Sequence, residues 1–523
     1  MAEPVVLAVD LGTSSLKVAL VSLGGRVLGW ESESLTLILT PDGGAEQNPH
    51  EWWAAFLSAS ARLLARNLVP RDAIRAVCCS TQGEGTIPVD EAGNALMNCI
   101  LWMDMRGAAF LRQEFAGLIN VGGMSLWRVL RWVRLTGGMP SPTGKDPAAH
   151  MLLVRDASPQ VYARTHKFLN VLDFMNLQLT GRFAATHDSI LTSWVTDQRD
   201  PGAIHYDPAL VRDCGVEAGK LPEIVPCTQV LGPLKKEVAE VLGVSQAVPV
   251  VAGAIDTSAA AVGAGAVQDY APHLYIGTSS WLAAHVPYKR TDLAASLASL
   301  PCAVPGRYLM TALQATAGGN LTFLRDNLLF PADELSHDSG SLDFFGVLDR
   351  MAGRVPAGSR GLLYAPWIWG ERAPVEDMDV RAGLYNISLH NTREDLLRAV
   401  LEGVAFNTRW LLAPVERFLG RKLEQINIVG GGAQSDLWCQ IFADVLNVPV
   451  RQVSEPICAN ARGAAWIAAV GLGDLSFADI PRLVHFRQTY TPKPENRVLY
   501  DDRFALFKQV YSQMRKVYHR LNE

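Results

Sequence analysis

One local pattern, an apolar run followed by Gly-Thr-Ser-Ser and a second apolar run, occurs twice in this 523-residue chain. The first copy reads VVLAVDLGTSSLKVALV over residues 5–21, and the second reads HLYIGTSSWLAAHV over residues 273–286. Apolar runs that flank a short turn predict two antiparallel strands. Because self-similarity at a separation of about 265 residues is the signature of a repeated unit, we predict two related domains with a break near residues 257–270.

The length and composition agree with a globular protein of several domains. At about 100–200 residues per domain, 523 residues correspond to two or three domains. Apolar residues make up 49% and charged residues 19%, which excludes a disordered chain. The net charge of −5 argues against a nucleic-acid partner, because such proteins carry a basic surface.

The cysteines and the apolar segments indicate the compartment. The eight cysteines form no CxxC pair, which is typical of reduced thiols in a cytosolic protein. The N-terminus carries Glu3 and Asp10 where a signal peptide has a basic start, and no run reaches the roughly 18 apolar residues of a membrane helix. We therefore expect a cytoplasmic protein with no membrane partner.

Strand-like and helix-like segments alternate along the chain. Helical spacing occurs over residues 49–67 and 395–419, and short apolar strands are predicted at residues 73–79, 248–252 and 425–429. This alternation predicts the α/β class. Residues 136–149, rich in Gly, Pro and Ser, read as a surface loop, and residues 501–521 as a solvent-facing amphipathic helix.

The two Gly-Thr-Ser-Ser turns have the composition of a phosphate site. Backbone N–H groups and small hydroxyls donate hydrogen bonds to phosphate oxygens without adding bulk. Asp10 precedes the first turn and is a candidate Mg²⁺ ligand, and Lys17 beyond it is a candidate phosphate contact. The alternative is an ordinary hairpin in which Thr and Ser bond locally.

A carboxylate and a glycine cluster follow two other predicted strands. Asp256 ends the strand over residues 248–255 and precedes an alanine-rich helix, so it is either a helix N-cap or a general base. Gly430, Gly431 and Gly432 follow the strand over residues 425–429 and allow close approach of a flat ligand or phosphates. The alternative for the glycines is a tight strand-to-helix crossover.

Several common catalytic motifs are missing from the sequence. It contains no GxxxxGK[ST], no GxSxG and no HExxH, which argues against a Walker-type NTPase, a serine hydrolase of the usual layout and a zincin. The opening strand leads to a second strand rather than to a helix, and the glycine cluster lacks the last glycine of GxGxxG. A nicotinamide-dependent dehydrogenase is therefore a poor alternative.

Taken together, these segments resemble the FGGY family of carbohydrate kinases, and the match runs nearly from end to end. It is carried by VVLAVDLGTSSLKVAL (5–20), EQNPHEWW (46–53), ILWMDMRG (100–107), VVAGAIDTSAAAVGAG (250–265), YIGTSSW (275–281), GERAPVEDMDVRAGLYNIS (370–388), LLRAVLEGVAF (396–406), VGGGAQSDLWCQIFADVLNVPV (429–450) and ANARGAAWIAAVGLG (459–473). The resemblance implies two duplicated ribonuclease-H-like domains of the actin-like ATPase fold. We place them at residues 1–257 (sugar, first phosphate turn, catalytic Asp) and 258–523 (nucleotide), with the active site in the cleft between them.

The resemblance also implies ATP-dependent phosphorylation of a sugar or polyol hydroxyl, and it assigns roles by motif position. Asp256 is expected to be the general base, and Asp10 to organise Mg²⁺. The nucleotide and its phosphates are expected to contact Gly12, Thr13, Ser14, Ser15 and Lys17 in the first half, and Gly277, Thr278, Ser279, Gly431, Gly432, Ala433, Ser435 and Asn460 in the second, where the residues from Gly431 onward border the adenosine.

Substrate choice is the open part of the resemblance. The expected sugar contacts are Gln82, Gly83, Glu84, Trp102, Asp104, Arg106, Asp256 and Thr257. Xylulokinases commonly carry Gln-Met-His where this chain has Gln-Gly-Glu, and a carboxylate at Glu84 is closer to kinases of polyols such as glycerol or erythritol. The C-terminal half is more similar to xylulokinases, so the prediction is a pentulose such as xylulose, with a polyol as the alternative.

Other interpretations of the prominent residues remain open at this point. Trp52 and Trp53 fit a helix core better than a ligand contact. The pair Glu371 and Arg372 reads as a structural ion pair at a loop, and Glu402 as a satisfied buried carboxylate.

A different functional class is also compatible with the fold. An actin-like ATPase that acts as a chaperone or scaffold is the alternative, against which Glu84, Asp104, Arg106 and Asp256 argue. The expected partner is a small-molecule sugar or polyol, with a homodimer as a further possibility.

Overall fold

The computed structural model describes residues 3–330 and 343–522, which form two large mixed sheets with helices on both faces. The first sheet consists of β1 (Val5–Leu11), β2 (Ser15–Ser22), β3 (Val27–Ser34), β4 (Ile74–Thr81), β5 (Val230–Pro233) and β6 (Pro249–Ile255). The second consists of β7 (Pro272–Ile276), β8 (Ser280–Val286), β9 (Thr291–Asp292), β10 (Leu297–Pro301), β11 (Tyr308–Gln314), β12 (Ile426–Val429), β13 (Val450–Val453) and β14 (Phe486–Tyr490).

The two sheets repeat one pairing pattern. The first has the order β3-β2-β1-β4-β6-β5, and the second contains β11-β8-β7-β12-β13-β14, with β10 and β9 added beyond β11. In both series the neighbouring pairs run antiparallel, antiparallel, parallel, parallel and antiparallel. The duplication expected from the repeated Gly-Thr-Ser-Ser phrase is thus present in the topology, and the α/β class is confirmed.

Helices account for most of the remaining structure. They are α1 (Pro49–Ala65), α2 (Ala108–Phe115), α3 (Leu126–Thr136), α4 (Pro147–Ala157), α5 (Pro159–Arg164), α6 (Val171–Thr180), α7 (Pro208–Asp213), α8 (Lys236–Leu242), α9 (Asp256–Gly263), α10 (Gly319–Leu324), α11 (Phe344–Gly353), α12 (Arg393–Leu419), α13 (Asp436–Leu446), α14 (Ala459–Gly471), α15 (Ile480–Leu483) and α16 (Arg497–Asn522). Short ribbons join them, made of Ile38–Leu39, Ala45–Gln47, Ile87–Val89, Cys99–Ile100, Asn120–Val121, Met124–Ser125, Lys167–Leu169, Ala184–Thr186, Thr196–Asp197, His205–Tyr206, Glu223–Val225, Leu363–Ala365 and Gly383–Tyr385.

The predicted elements agree with these bounds within a few residues. The helix predicted over residues 49–67 is α1, that over 395–419 is α12, and the amphipathic C-terminal helix is α16. The loop predicted over residues 136–149 is shorter, because α3 ends at Thr136 and α4 begins at Pro147. Its last residue, Asp146, is only 7% exposed, so this segment is not a simple surface loop.

β1 shows why its sequence is uninterruptedly apolar. All seven of its residues are buried. Val5, Leu7 and Val9 face a core shared with α1, whereas Val6 and Ala8 face a core shared with α9 and α14. A strand covered on both faces needs apolar side chains on both, which explains the continuous run instead of alternation.

Helix α9, which directly follows β6 of the first sheet, and helix α14 of the C-terminal half cross in direct backbone contact. A Cβ placed on Gly263 would lie 1.8 Å from the carbonyl oxygen of Ala459, and one placed on Gly463 would lie 1.9 Å from that of Ala259. Both contacts are Ala-x-x-x-Gly spacings, so the crossing is reciprocal. α14 also packs against β1, β4 and β6, which ties the C-terminal half to the first sheet.

Two negative findings concern the described residues. No helix in the ranges 3–330 and 343–522 is both long enough and apolar enough to cross a membrane. The eight cysteines are all buried, and none of them forms a disulfide bond in the structure.

The α9–α14 crossing generates the first testable prediction. Gly263→Ala should lower the free energy of unfolding by about 3 kcal/mol or more, because the new methyl group meets a backbone oxygen that has no side chain to rotate away. Gly219→Ala is the matched control, since a Cβ there has no heavy atom within 4 Å. Denaturant unfolding of the two variants checks the difference, and equal stability would contradict the reading of this crossing.

Candidate active site

The first Gly-Thr-Ser-Ser turn joins β1 to β2 and leaves its polar groups accessible. Gly12 N–H donates to the carbonyl of Ser15 at 3.0 Å, which closes the turn, and Ser14 at its tip is exposed. Asp10, 4% exposed at the end of β1, accepts from Lys17 Nζ at 3.4 Å and from Asn460 Nδ2 at 3.2 Å. One carboxylate therefore contacts a cation from its own hairpin and an amide from α14.

A chain of hydrogen bonds links this turn to the segment that follows β4. Thr13 Oγ1 donates to Gln82 Oε1 at 2.8 Å, and Gln82 Nε2 donates to Gln47 Oε1 at 2.8 Å. Gln47 Nε2 in turn donates to the carbonyl of Thr13 at 2.8 Å, which closes a ring. The Trp102 indole N–H also donates to Thr13 Oγ1, at 3.3 Å. The side chain of Gln82, predicted to contact the sugar, is thus occupied in supporting the turn.

The second turn, between β7 and β8, is closed by a hydrogen bond that spans one residue fewer than in the first turn, and backbone groups of residues 317–319 support it. Gly277 N–H donates to the carbonyl of Ser279 at 2.9 Å, and Thr278 at the tip is exposed. The carbonyls of Gly277 and Thr278 accept from backbone N–H groups of residues 317–319 at 2.8–3.0 Å. A Cβ on Gly318 would lie 2.6 Å from the Gly277 oxygen, so a glycine is required for this approach. Sequence reasoning missed this support.

Asp256 is the first residue of α9 and lies half-buried where β6 ends. The N-cap position belongs to Ile255, and no side-chain cap bond is made there, so Asp256 is not the N-cap. Burial raises the pKa of Asp256 from 3.8 to about 8, and the charge of Asp10 adds to this shift. The carboxyl group therefore titrates near neutral pH, as suits a general base.

A polar cavity lies between the two halves of the chain. The space among its side chains, including the open solvent at its mouth, is about 480 Å³. Lining residues from the first half are Glu84, Trp102, Ser141, Thr143, Lys145 and Asp146, and those from the second half are Ala315, Trp369, Arg372, Glu376 and Met378. A ligand held there contacts both halves.

Glu84 has an unusual backbone in this cavity. Its φ of 62° lies in the left-handed region, which costs an ordinary residue about 1–2 kcal/mol. Burial raises the pKa of its carboxyl group, while the charges of Arg372 and Lys145 act in the opposite direction. Strain of this kind concentrates at binding and catalytic sites.

Lys145 and Arg372 bring two cations to the cavity that sequence reasoning did not assign. Within the described residues neither side chain forms an ion pair shorter than 4.0 Å. Burial lowers the pKa of Lys145, and the charge of Arg372 lowers it further. The sequence signal for Lys145 was weak, because it lies in a segment rich in Gly, Pro and Ser that reads as a loop.

Asp104 and Arg106, predicted to contact the sugar, have partners within the protein. Asp104 is fully buried and accepts from the N–H of Ala45 at 2.9 Å. Arg106 forms ion pairs of 2.6 Å with both Asp104 and Glu46. These groups satisfy one another and do not line the cavity, whereas Trp102 of the same motif does.

The glycine cluster after β12 forms a tight turn into α13. Gly430 has a φ of 94°, and a Cβ on it would lie 2.5 Å from the carbonyl oxygen of Ile276. Gly431 faces open space, whereas Ala433 is fully buried. Ser435 is the N-cap of α13 and accepts from the N–H of Trp438 at 3.0 Å. The crossover interpretation is correct for Gly430, and the exposed edge at Gly431 leaves room for a ligand.

Asn460, predicted near the adenosine, also contacts the first turn region. Its Nδ2 donates to Asp10 at the end of β1, and the turn before α14 accepts from the N–H of Gly430 through Pro456. The packing of α14 on the first sheet carries Asn460 across the boundary between the halves.

Two of the residues that the sequence marked as structural, Trp52 and Glu402, have structural roles, whereas the pair of Glu371 and Arg372 differs from its prediction. Trp52 is fully buried in the core around α1. Glu402 accepts from Gly358 N–H, Ser359 Oγ, Arg398 Nε and Tyr500 OH at 2.8–3.0 Å, so it is a satisfied carboxylate. Glu371, however, does not pair with the Arg372 guanidinium. It accepts from the backbone N–H groups of Ala315 and Arg372 at 3.0 and 2.7 Å, and this leaves the guanidinium in the cavity.

The carboxylates near the first turn fit a divalent cation. Mg²⁺ prefers oxygen ligands and is commonly held by one or two carboxylates together with phosphate oxygens. Asp10 provides such oxygens next to an exposed turn, and its charge is one cause of the raised pKa of Asp256. A cation there would offset that repulsion, so the donor set suits the metal that the sequence suggested.

The raised pKa of Asp256 predicts a pH-dependent stability. Its folded-state pKa of about 8 exceeds the reference value of 3.8, so the wild type loses stability as pH rises through this window. Asp256→Asn removes the ionisation and should raise the free energy of unfolding by about 2 kcal/mol or more at pH 9, and by less at pH 5. The exposed Asp479→Asn should show no such gain, and a pH-independent effect of Asp256→Asn would contradict the shift. Unfolding is measured without nucleotide or Mg²⁺.

Several known sugar kinases are similar to this chain over nearly its whole length. A xylulose kinase of Staphylococcus epidermidis is 27% identical over 99% of this chain and 98% of its own length. A gluconokinase of Bacillus subtilis is 26% identical over 96% and 94%. The crystal structure of a ligand-bound xylulose kinase from Lactobacillus acidophilus superposes with a TM-score of 0.83 at 24% identity, covering 99% of this chain and 100% of that one, which shows a shared fold.

The family match covers nearly all of the chain. Residues 5–263 match the N-terminal domain of the FGGY family of carbohydrate kinases, and residues 274–472 match its C-terminal domain. The first match includes the first Gly-Thr-Ser-Ser turn and Asp256, and the second match includes the second turn and the glycine cluster. The chain belongs to the FGGY family of carbohydrate kinases, which transfer a phosphoryl group to an alcohol acceptor.

Proposed function

We propose that this protein transfers the γ-phosphoryl group of ATP to a hydroxyl of a pentulose such as xylulose, with Asp256 as general base and Mg²⁺ held near Asp10. ATP use follows from the family, and the full-length similarity to xylulose kinases supports the pentulose. The observation that carries the proposal is the position of Asp256. Its carboxyl group has a pKa of about 8, and the charges that raise this pKa include Asp10 beside the first turn and Glu84 in the cavity.

In this mechanism the attacking hydroxyl oxygen forms a bond to the γ-phosphorus, the bond to the β–γ bridging oxygen breaks, and ADP leaves. Asp256 accepts the proton that the hydroxyl loses. Phosphoryl transfer depends mainly on positioning and on neutralising charge, and a base adds a moderate factor. Mg²⁺, when bound, would neutralise phosphate charge beside Asp10. Closure of the cleft would exclude water and limit hydrolysis of ATP.

The nucleotide is proposed to lie between the two turns and the glycine cluster. Gly12, Thr13, Ser14, Ser15 and Lys17 would surround the transferring phosphate. Gly277, Thr278 and Ser279 would hold the other phosphates, and the adenosine would follow the exposed edge that begins at Gly431. The functional boundary is proposed at residues 257–258, with the sugar on the first part and the nucleotide on the second. Cytoplasmic location and a homodimer remain predictions.

The sugar is proposed to lie in the cavity, in contact with Glu84, Trp102, Lys145 and Arg372 and with its reactive hydroxyl at Asp256. One observation supports the alternative that the substrate is a polyol. Glu84 faces the cavity in a strained backbone conformation, and a carboxylate can accept hydrogen bonds from two neighbouring hydroxyls. A gluconate-like acid is a further member of the panel, because gluconokinases are among the relatives.

The base role predicts a specific loss of turnover. Asp256→Asn should reduce sugar-dependent ADP release by about 10²–10⁴-fold, because the attacking hydroxyl loses its proton acceptor. The affinity for Mg-ATP, measured by calorimetry, should change little. Undiminished turnover in a folded Asp256→Asn variant would remove Asp256 from the base role.

The cavity predicts separate effects on sugar and nucleotide. Glu84→Gln and Arg372→Gln should each raise the KM for the sugar by about tenfold, the loss of roughly one charged hydrogen bond, with a much smaller change in the KM for ATP. Arg354→Gln is the control, because Arg354 is exposed and pairs with Glu394 outside the cavity. Equal changes in both KM values would argue against a sugar contact.

The substrate itself is identified by Mg-ATP-dependent ADP release with D- and L-xylulose, D- and L-ribulose, glycerol, erythritol, D-arabinitol, xylitol and gluconate. A preferred ketopentose would support the proposal. A preferred polyol would show that Glu84 reports the specificity. A rate of ADP release that does not rise with any of these compounds would contradict the kinase assignment within this panel.

A further inference from the structure

We propose that Asp188 is a positioning residue that fixes the backbone on both sides of the catalytic carboxylate Asp256. Sequence reasoning gave Asp188 no role. It lies just beyond the short strand Ala184–Thr186 and is 1% exposed. The inference rests on the proposed base role of Asp256 and adds a residue that acts through it without touching substrate.

The N-terminus of α9 has no polar side chain at its N-cap. An α-helix starts with backbone N–H groups that have no partner in the helix, and a Ser, Thr, Asp or Asn at the N-cap commonly supplies one. Here the N-cap is Ile255, which has no polar side chain, and no N-cap side-chain hydrogen bond is formed. The start of α9 therefore depends on groups from elsewhere in the chain.

Asp188 provides these groups from 67 residues away. Its Oδ2 accepts from the N–H of Ile255 at 2.8 Å, and its Oδ1 accepts from Ser258 Oγ at 2.9 Å. The two contacts lie one residue before and two residues after Asp256. A single buried carboxylate thus holds the chain on both sides of the base.

This arrangement positions Asp256 through the backbone on either side of it. Neither contact of Asp188 uses a carboxylate oxygen of Asp256. A general base needs an oxygen that is available to the substrate proton, and support from Asp188 through the adjoining backbone does not occupy one. Displacement of a catalytic group by about 1 Å can cost on the order of 10²-fold in rate.

Asp188→Asn is the central test, because the amide keeps the size but offers only one acceptor oxygen to two donors. We expect kcat to fall by about tenfold or more, while the KM for the preferred sugar stays within about threefold. A purely structural residue would lower stability without this selective loss of kcat.

Asp444→Asn is the matched control. Asp444 is 4% exposed and likewise accepts from a distant backbone N–H, that of Lys493 at 2.8 Å, and from a side chain, Asn496 Nδ2 at 2.8 Å. Asp444→Asn should lower the melting temperature by about as much as Asp188→Asn does. Because Asp444 does not line the cavity, its variant should keep kcat within about twofold of the wild type. An equal loss of kcat in both variants would overturn the inference.

Ser258→Ala keeps the test decisive if Asp188→Asn does not fold. It removes one of the two contacts and should lower kcat by a smaller factor at unchanged sugar KM, whereas unchanged kcat would count against the positioning role. The result also separates the two proposals. A wild-type chain without sugar-dependent turnover refutes the proposed function and the inference with it, whereas normal turnover in Asp188→Asn refutes the inference alone.

Discussion

The reciprocal crossing of α9 and α14 is the contact on which the rest of the structure depends. Gly263 and Gly463 each bring a helix backbone against the backbone of the other, and no side chain can enter either position. Helix α14 of this crossing also carries Asn460, which donates to Asp10. Because α9 also begins with Asp256, the contact that joins the halves determines where the candidate base lies relative to the first turn.

Equivalent positions in the two duplicated sheets have different roles. β4 and β12 each pair parallel with the first strand of their hairpin. The chain leaving β4 contains Gln82, Gly83 and Glu84, which support the first turn and face the cavity, whereas the chain leaving β12 contains the glycine cluster. The long segment between β4 and β6 adds the loop that carries Lys145. The second half has only α13 between β12 and β13, which leaves the glycine edge open.

Much of this organisation was predictable from the sequence, because apolar periodicity and a repeated turn depend on local chemistry. The repeat, the α/β class, the main helices and the role of Trp52 in the core all followed from it. The sugar contacts of Asp104 and Arg106 stay a prediction, and the sequence motif does not show that Ala45 and Glu46 are partners of these two side chains. Lys145, Arg372 and Gly318 were missed because their importance arises from neighbours that are distant in the sequence, such as Gly277 for Gly318 and Glu84 for Lys145 and Arg372. The positions of Asn460 and Asp188 likewise depend on tertiary packing that no local pattern records.

The closed ring of hydrogen bonds among Thr13, Gln82 and Gln47 has a thermodynamic consequence. It connects the turn suited to phosphate with the segment that places Glu84 in the cavity, so a displacement of either end changes the energy of the other. Coupling between two binding sites is reciprocal by linkage. If phosphate bound at the turn raises the affinity for a sugar, the sugar must raise the affinity for the nucleotide by the same factor. The binding of each ligand would then affect the binding of the other through three neutral side chains.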